Sequence, residues 1–295
     1  MKLTTVRWEN REVCGIVTNS AVALLPVINS VCGLHYPEGL LPLIESGALD
    51  ELKNWYEQKC LEGHHWHQDA LVPLPDVQFA PLYRRPRKIW GIGLNYVAHA
   101  RDLDEQAPSC EPASFMKPDT AIIGHGDDIH LPLMSEKTTG EAELGLIFGK
   151  RCRNIDRTAW KSALAGFTSI VDMTAEDILR RNPRNLTQSK SFDTFFSFGP
   201  FLYTVDELKN GFDAKVQTVI NGRVHAENVV SNMMFPPDYL VSYHSRVMTM
   251  LPGDIISTGT PGAVELSHGD TIECRIDGFQ PLVNKVVDLK VTKRQ

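Results

Sequence analysis

The chain has 295 residues, 42% hydrophobic and 22% charged, and a net charge of −6, enough for one large domain, or a large and a small one, around a sizeable core. The acidic balance gives no electrostatic reason for a nucleic-acid or anionic-membrane partner. No apolar run approaches the roughly 20 residues that span a bilayer, and the opening "MKLTTVRWENREV" lacks the apolar stretch of a secretory signal.

Cys14, Cys32, Cys60, Cys110, Cys152 and Cys274 are scattered without a CxxC pair and read as reduced thiols, so the expected setting is cytoplasmic. Along the chain, "KLTTVRW", "REVCGIVT" and "AVALLPV" in residues 1–30 are β-rich runs between polar turns and predict short strands. Over 38–60, Leu41, Leu43, Ile44, Leu49, Leu52 and Trp55 recur at roughly helical spacing, which predicts two short helices broken near Gly47. The stretch 71–88, "LVPLPDVQFAPLYRRPRK", is proline-rich and predicts a linker between a small N-terminal α+β domain, 1–80, and a larger domain, 81–295. In that larger region "KIWGIG", "ASFMK", "AELGLIFG", "FTSIVDM", "KVQTVING", "DIISTGT", "DTIECRI" and "VVDLKV" have strand character. Helices are expected at 94–102, 157–164, 174–181 and 236–248. Strands that outnumber helices this way suit a sandwich or rolled sheet better than an alternating βαβ sheet.

Several motifs compete for a chemical role. "GIGLNY" (91–96) has Tyr96 where a dinucleotide fingerprint needs glycine, and no βαβ pattern surrounds it. "GHHWH" (63–67) offers three histidines, in a polar loop and without metal-motif spacing. "NYVAHARD" puts His99 and Asp102 three apart, on one face of a helical turn, where a carboxylate can orient an imidazole as general base. An exposed pair at a helix end has the same spacing.

"TTGEAELGLIFG" (138–149) alternates, with Glu141 and Glu143 one pleat apart on one face, and "SIVDMTAED" delivers Asp172 near the end of another strand. If the three converge they make an all-oxygen site suited to Mg²⁺ or Mn²⁺; if they do not, they are exposed acids. "SKSFDTFFSFGPFL" carries Lys190, and "STGTPGAV" carries Thr258 and Thr260 in a tight turn; such groups hold an oxyanion or simply cap turns.

Taken together, "GIGLNYVAH", "FMKP", "GEAELGLIFGKRCR", "DMTAED", "SKSFD", "GPF", "GDIISTGTPGAV" and "GDTIE" resemble the fumarylacetoacetate hydrolase family, in matching order from Lys88 to near the C-terminus. The resemblance implies an α+β, mostly β fold: a mixed β-sandwich roll of that family's C-terminal type behind a small N-terminal domain, assembled as a homodimer, with one Mg²⁺ or Mn²⁺ per chain. It further implies Glu141, Glu143 and Asp172 as metal ligands and His99 with Asp102 as the base dyad. Lys190 would sit on the substrate oxygens, with Lys117, Glu176, Arg180 and Thr260 also at the substrate. The implied activity is hydrolysis of a C–C bond in a 1,3-diketone or acylpyruvate by His-activated water through a metal-bound enolate. Decarboxylation, keto–enol isomerisation or dehydration of a 2-keto acid uses the same scaffold, and a homologue that binds metal without turnover is a further alternative.

One departure falls at the substrate. Many relatives acting on α-keto acids read TARDxQ after the metal aspartate, whereas here Glu176 and Leu179 stand in place of arginine and glutamine. A glutamate repels the carboxylate that an arginine fork would hold. The expectation is that the metal chemistry persists while the group recognised beside it has changed, with Arg180, Arg181 or Arg184 as candidate replacements.

Overall fold

The computed structural model describes residues 1–61, 66–97 and 110–292. Its β-branched and aromatic runs form two sheets. Strands Lys2–Trp8, Arg11–Val17 and Ala21–Leu24 make an antiparallel meander. The first of them also pairs with Phe196–Thr204, Leu3 lying opposite Leu202. That strand continues through Leu164–Ala175, Thr138–Phe148, Ile255–Ser257 and Ile89–Gly93 to Ala113–Met116, within a 12-stranded sheet. A second, 5-stranded sheet runs Arg223–Val229, Lys215–Ile220, Thr271–Ile276, Leu282–Asp288 and Asp128–Leu131.

The two sheets pack face to face over Thr138–Phe148. A Cβ on Gly140 would stand 2.4 Å from Ile272 Cδ1, so glycine lets the second sheet approach closely at that point, and a larger residue would have to push the Ile272 side chain aside. The Thr218 hydroxyl accepts from the Ala142 amide at 3.1 Å. Because side chains alternate along a strand, Gly140 and Ala142 face the second sheet while Glu141 and Glu143 face away from it. The strand is buried along its whole length, as is its neighbour Leu164–Ala175. Leu144, Leu146, Phe167, Ile170, Phe196 and Phe198 are fully buried there. Such a core holds the two strands in one register, and a slip of one residue would turn every carboxylate to the wrong face.

The two helices expected within 38–60 form at Leu40–Glu45 and Leu49–Leu61, on either side of Gly47 at φ 76°. Of the later segments, 174–181 and 236–248 form as Glu176–Arg181 and Pro237–Val247, and 157–164 as a 3-10 helix at Arg157–Ala163; most of 94–102 lies outside the described residues. Glu176–Arg181 starts later than its pattern suggested because the preceding strand runs on to Ala175.

Two expectations fail. "AVALLPV" is a strand only to Leu24; Leu25–Cys32 is a helix, with Pro26 in its first turn and Gly33 in the left-handed conformation (φ 65°) at its end. Both are ordinary helix boundary signals, masked by a short apolar run that also fits a strand. The stretch 71–88 is packed rather than a free linker. Leu71–Pro73 pairs with Ala21–Ala23, and Ala80, Leu82 and Tyr83 are buried. Its prolines remove ladder donors, which confines the strand to the sheet edge without detaching it from the core.

A buried carboxylate and ammonium cluster

Antiparallel pairing of Thr138–Phe148 with Leu164–Ala175 sets Asp172 opposite Glu141 and Ile170 opposite Glu143. Directly paired residues point to one face, so Asp172 joins the two glutamates. One carboxylate oxygen from each lies within 4.8 Å of the others, and all three residues are buried.

Each acid is held differently. Glu143 Oε2 accepts from the Ser257 hydroxyl at 2.5 Å and the Gly259 amide at 2.7 Å. Glu141 Oε1 accepts from the Thr174 hydroxyl at 2.6 Å. Asp172 receives the Lys117 ammonium at 2.5 Å on one oxygen and the Lys190 ammonium at 2.7 Å on the other. Lys190 also reaches Glu141 at 3.1 Å and lies 4.7 Å from the centre of the Phe115 ring.

The Gly259 amide can reach Glu143 because of its backbone. Gly259 has φ +96°, and a Cβ there would lie 2.7 Å from that of Asn95. Asn95 is fully buried and ties the turn down, donating to the carbonyls of Thr258 (2.7 Å) and Phe235 (3.0 Å) and accepting from the Phe235 amide.

Three acids and two ammoniums out of water form a strained set. Burial, with Asp172 and Glu141 nearby, pushes Glu143 up to about 8. Burial also brings Lys117 down to about 8 despite its contact with Asp172. Burial alone would raise Asp172, but Lys117 and Lys190 outweigh it and hold the carboxyl below its ordinary range. Burial opposes charge on Lys190 too, yet Asp172 and Glu141 prevail and raise its pKa. A divalent cation among the three carboxylates would relieve the repulsion that raises Glu143. Hard oxygen donors in a buried, pre-positioned cluster fit Mg²⁺ or Mn²⁺.

The cluster opens on a cavity of about 500 Å³. Glu141, Lys190, Thr174 and Thr260 line its polar end; Ile92, Leu94, Phe115, Leu179, Pro183 and Leu186 supply apolar lining; Glu176 and Arg180 also face it. The Thr260 hydroxyl donates to the Gly262 carbonyl at 3.1 Å.

Glu141, Glu143, Asp172 and Lys190 are thus brought together, and Glu176, Arg180 and Thr260 share their cavity. Lys117, expected at the substrate, is turned onto Asp172 and the Met173 carbonyl, with no exposed side-chain surface. His99 and Asp102 lie outside the described residues, as do His64 and His65 of the histidine tract. His67, at the surface, faces Asp69 at 3.5 Å. In "GIGLNY" the first glycine serves packing, since a Cβ on Gly91 would stand 2.2 Å from the Phe115 ring. Ser257, Thr174 and Asn95 were missed. "NY" and "STG" show polar residues beside a turn, but the contacts they make span more than 100 residues of sequence.

Residues 88–287 match the family described as fumarylacetoacetate (FAA) hydrolase C-terminal. A human mitochondrial oxaloacetate tautomerase is 34% identical over 229 residues, 75% of this chain and 73% of the relative. The maleylpyruvate hydrolase of Sphingobium sp. SYK-6, solved with manganese(II) and pyruvate, aligns with a TM-score of 0.78 at 26% identity, over 98% of this chain and 99% of that one. A 5-carboxymethyl-2-hydroxymuconate delta-isomerase from Mycobacterium smegmatis aligns at 0.75 and 26% identity, over 98% and 99%. A hydrolase, an isomerase and a tautomerase therefore all resemble this chain.

Proposed function

Because the chain belongs to the fumarylacetoacetate hydrolase family, a family of enzymes, we propose that it is a divalent-metal-dependent hydrolase cleaving a carbon–carbon bond in a 1,3-diketone or acylpyruvate-type substrate. The observation that carries this reading is the buried triad of Glu141, Glu143 and Asp172, flanked by two ammoniums and open to a cavity. These three acids would hold Mg²⁺ or Mn²⁺. When bound, the cation supplies Lewis acidity toward substrate oxygens.

The chain's own groups do the rest. Lys117 and Lys190 anchor Asp172 from two directions, while Ser257 and the Gly259 amide fix Glu143. Lys190, kept protonated by its acidic neighbours and lining the cavity, offers positive charge to an oxygen that gains electrons during cleavage. Thr260 bounds the polar end. To His99, with Asp102 as the carboxylate of the expected dyad, we assign removal of a proton from water. The water oxygen then adds to the acyl carbonyl, and the carbon–carbon bond breaks with its electron pair moving to the neighbouring keto group. The imidazolium returns the proton to carbon, so that an acid and a methyl ketone leave.

A second reading is keto–enol tautomerisation of a 2-keto acid, favoured by the 34% identity to an oxaloacetate tautomerase. It needs the same acids and Lys190 but no water. Product analysis separates the two: hydrolysis yields two molecules and tautomerisation one. Glu143→Ala tests the shared premise, because it should lose Mn²⁺ binding and turnover together. Normal Mn²⁺ affinity in that variant would contradict the assignment.

A further inference from the structure

Besides Glu141 and Lys190, the described lining carries a single pair of charges, and the two bond to each other. Glu176 is buried, its side chain 9% exposed. Its Oε1 receives both Nε of Arg180 at 2.8 Å and the terminal nitrogen Nη2 at 2.7 Å. Its Oε2 is taken by Lys137, at 2.8 Å from a position that does not line the cavity. Those two cations outweigh burial and keep Glu176 ionised, below the ordinary glutamate range. Arg180, 63% exposed, therefore turns one edge of its fork onto a carboxylate already in place. The apolar side chains that line the same cavity are Leu179, Pro183, Leu186, Ile92, Leu94 and Phe115.

A substrate carboxylate entering this wall would meet a fixed anion, an arginine already engaged, and hydrocarbon. Leaving water for such surroundings is unfavourable for an ion without its own partner. An alkyl group entering the same wall loses nothing polar and buries apolar surface. We propose that the part of the substrate lying beyond the carboxylate cluster is apolar and uncharged, and that Glu176 is a specificity-determining residue that excludes a second carboxylate by occupying Arg180. The inference rests on the reading of this cavity as the substrate site, and it separates this chain from relatives whose names specify dicarboxylic acids.

The test is calorimetric binding to the Mn²⁺-loaded full chain, with no turnover required. The probes are 2-oxohexanoate and 2-oxoadipate, which share six carbons and differ at the far end, methyl against carboxylate. The expected result is tighter binding of 2-oxohexanoate by about tenfold or more. Glu176→Gln frees Arg180 and Lys137 and should bring the ratio to near unity or reverse it. Arg180→Met, at an exposed side chain, guards against a folding defect: it leaves Glu176 in place, so it should weaken 2-oxoadipate further and move 2-oxohexanoate less. Equal or tighter binding of 2-oxoadipate by the unmodified chain overturns the inference, as does a ratio that Glu176→Gln does not move. If neither probe binds, the reading of the cavity as a substrate site falls, and the inference with it. If 2-oxohexanoate is preferred and no diketone is cleaved, the inference stands while the hydrolase assignment fails.

Discussion

Asp172→Asn removes one negative charge from the centre of the cluster while keeping the side chain's shape. Asp172 is fully buried and receives two ammoniums. In the variant Lys190 keeps Glu141 at 3.1 Å, but Lys117 keeps no carboxylate contact, only the Met173 carbonyl at 3.2 Å. Removing one partner of a buried ion pair costs about 3–5 kcal/mol, because the other charge stays buried and uncompensated. One ammonium is stranded here and an amide oxygen still faces it, so about 3 kcal/mol is the fitting figure. For a chain of this size that corresponds to a drop of about 5 °C in the thermal midpoint. The assay is thermal unfolding in the presence of chelator, so that cation binding does not contribute. Removing the stranded partner as well, in Asp172→Asn with Lys117→Met, should recover most of the loss, since deleting both members of a buried pair is far less costly than deleting one. A single variant as stable as the unmodified chain, or a double variant less stable than the single, would refute the electrostatic reasoning.

Other outcomes follow from neighbouring features. Gly259→Ala forces a side chain into φ +96° and a Cβ to within 2.7 Å of Asn95 Cβ; it should destabilise by about 1–3 kcal/mol, and chemical denaturation would show it. Because the Gly259 amide bonds to Glu143, weaker Mn²⁺ binding should accompany that loss, and unchanged affinity would detach the turn from the metal centre. Lys190→Met should remove the charge facing the cavity and lower kcat by about 100-fold, with Mn²⁺ still bound in calorimetry. Asp206, hydrogen-bonded to Lys53 at 2.7 Å, is lowered to about 2 although burial opposes the shift. A lowered acid stabilises above its unfolded value, near 4, and loses that contribution as pH falls from about 4 through 2. At a half-exposed surface pair the contribution is under about 1 kcal/mol. Asp206→Asn should therefore flatten the stability profile slightly in that window and nowhere else.

Local chemistry made much of the fold readable. Alternation in "TTGEAELGLIFG" yields a strand, and strand geometry alone puts Glu141 and Glu143 on one face. The break at Gly47 and the proline start of Pro237–Val247 are equally local. What the chain alone could not supply was pairing. That Asp172 stands opposite Glu141 depends on a register 31 residues apart in sequence; the residues alone left convergence of the three acids open, and the motif resemblance is what assigned them to one site. Lys117 was placed at the substrate because it stands in a matching motif, yet burial and two acceptors turn it onto Asp172 and the Met173 carbonyl. The supports of Glu143 were not legible either, since Ser257 and Gly259 come from more than 110 residues away. The departure at Glu176 was visible as an odd residue in a motif, but its pairing with Lys137 and Arg180 was visible only in the folded chain.

The buried triad is proposed to support cation-dependent cleavage of a carbon–carbon bond. That role is tested most directly by following the ultraviolet enol absorbance of an alkyl acylpyruvate, with Mg²⁺ or Mn²⁺ and with chelator, and by identifying the products. Absorbance should be lost only with the cation present, with pyruvate and the free carboxylic acid formed in equal amounts. Unchanged absorbance with either cation, or its loss without any pyruvate, would contradict that role.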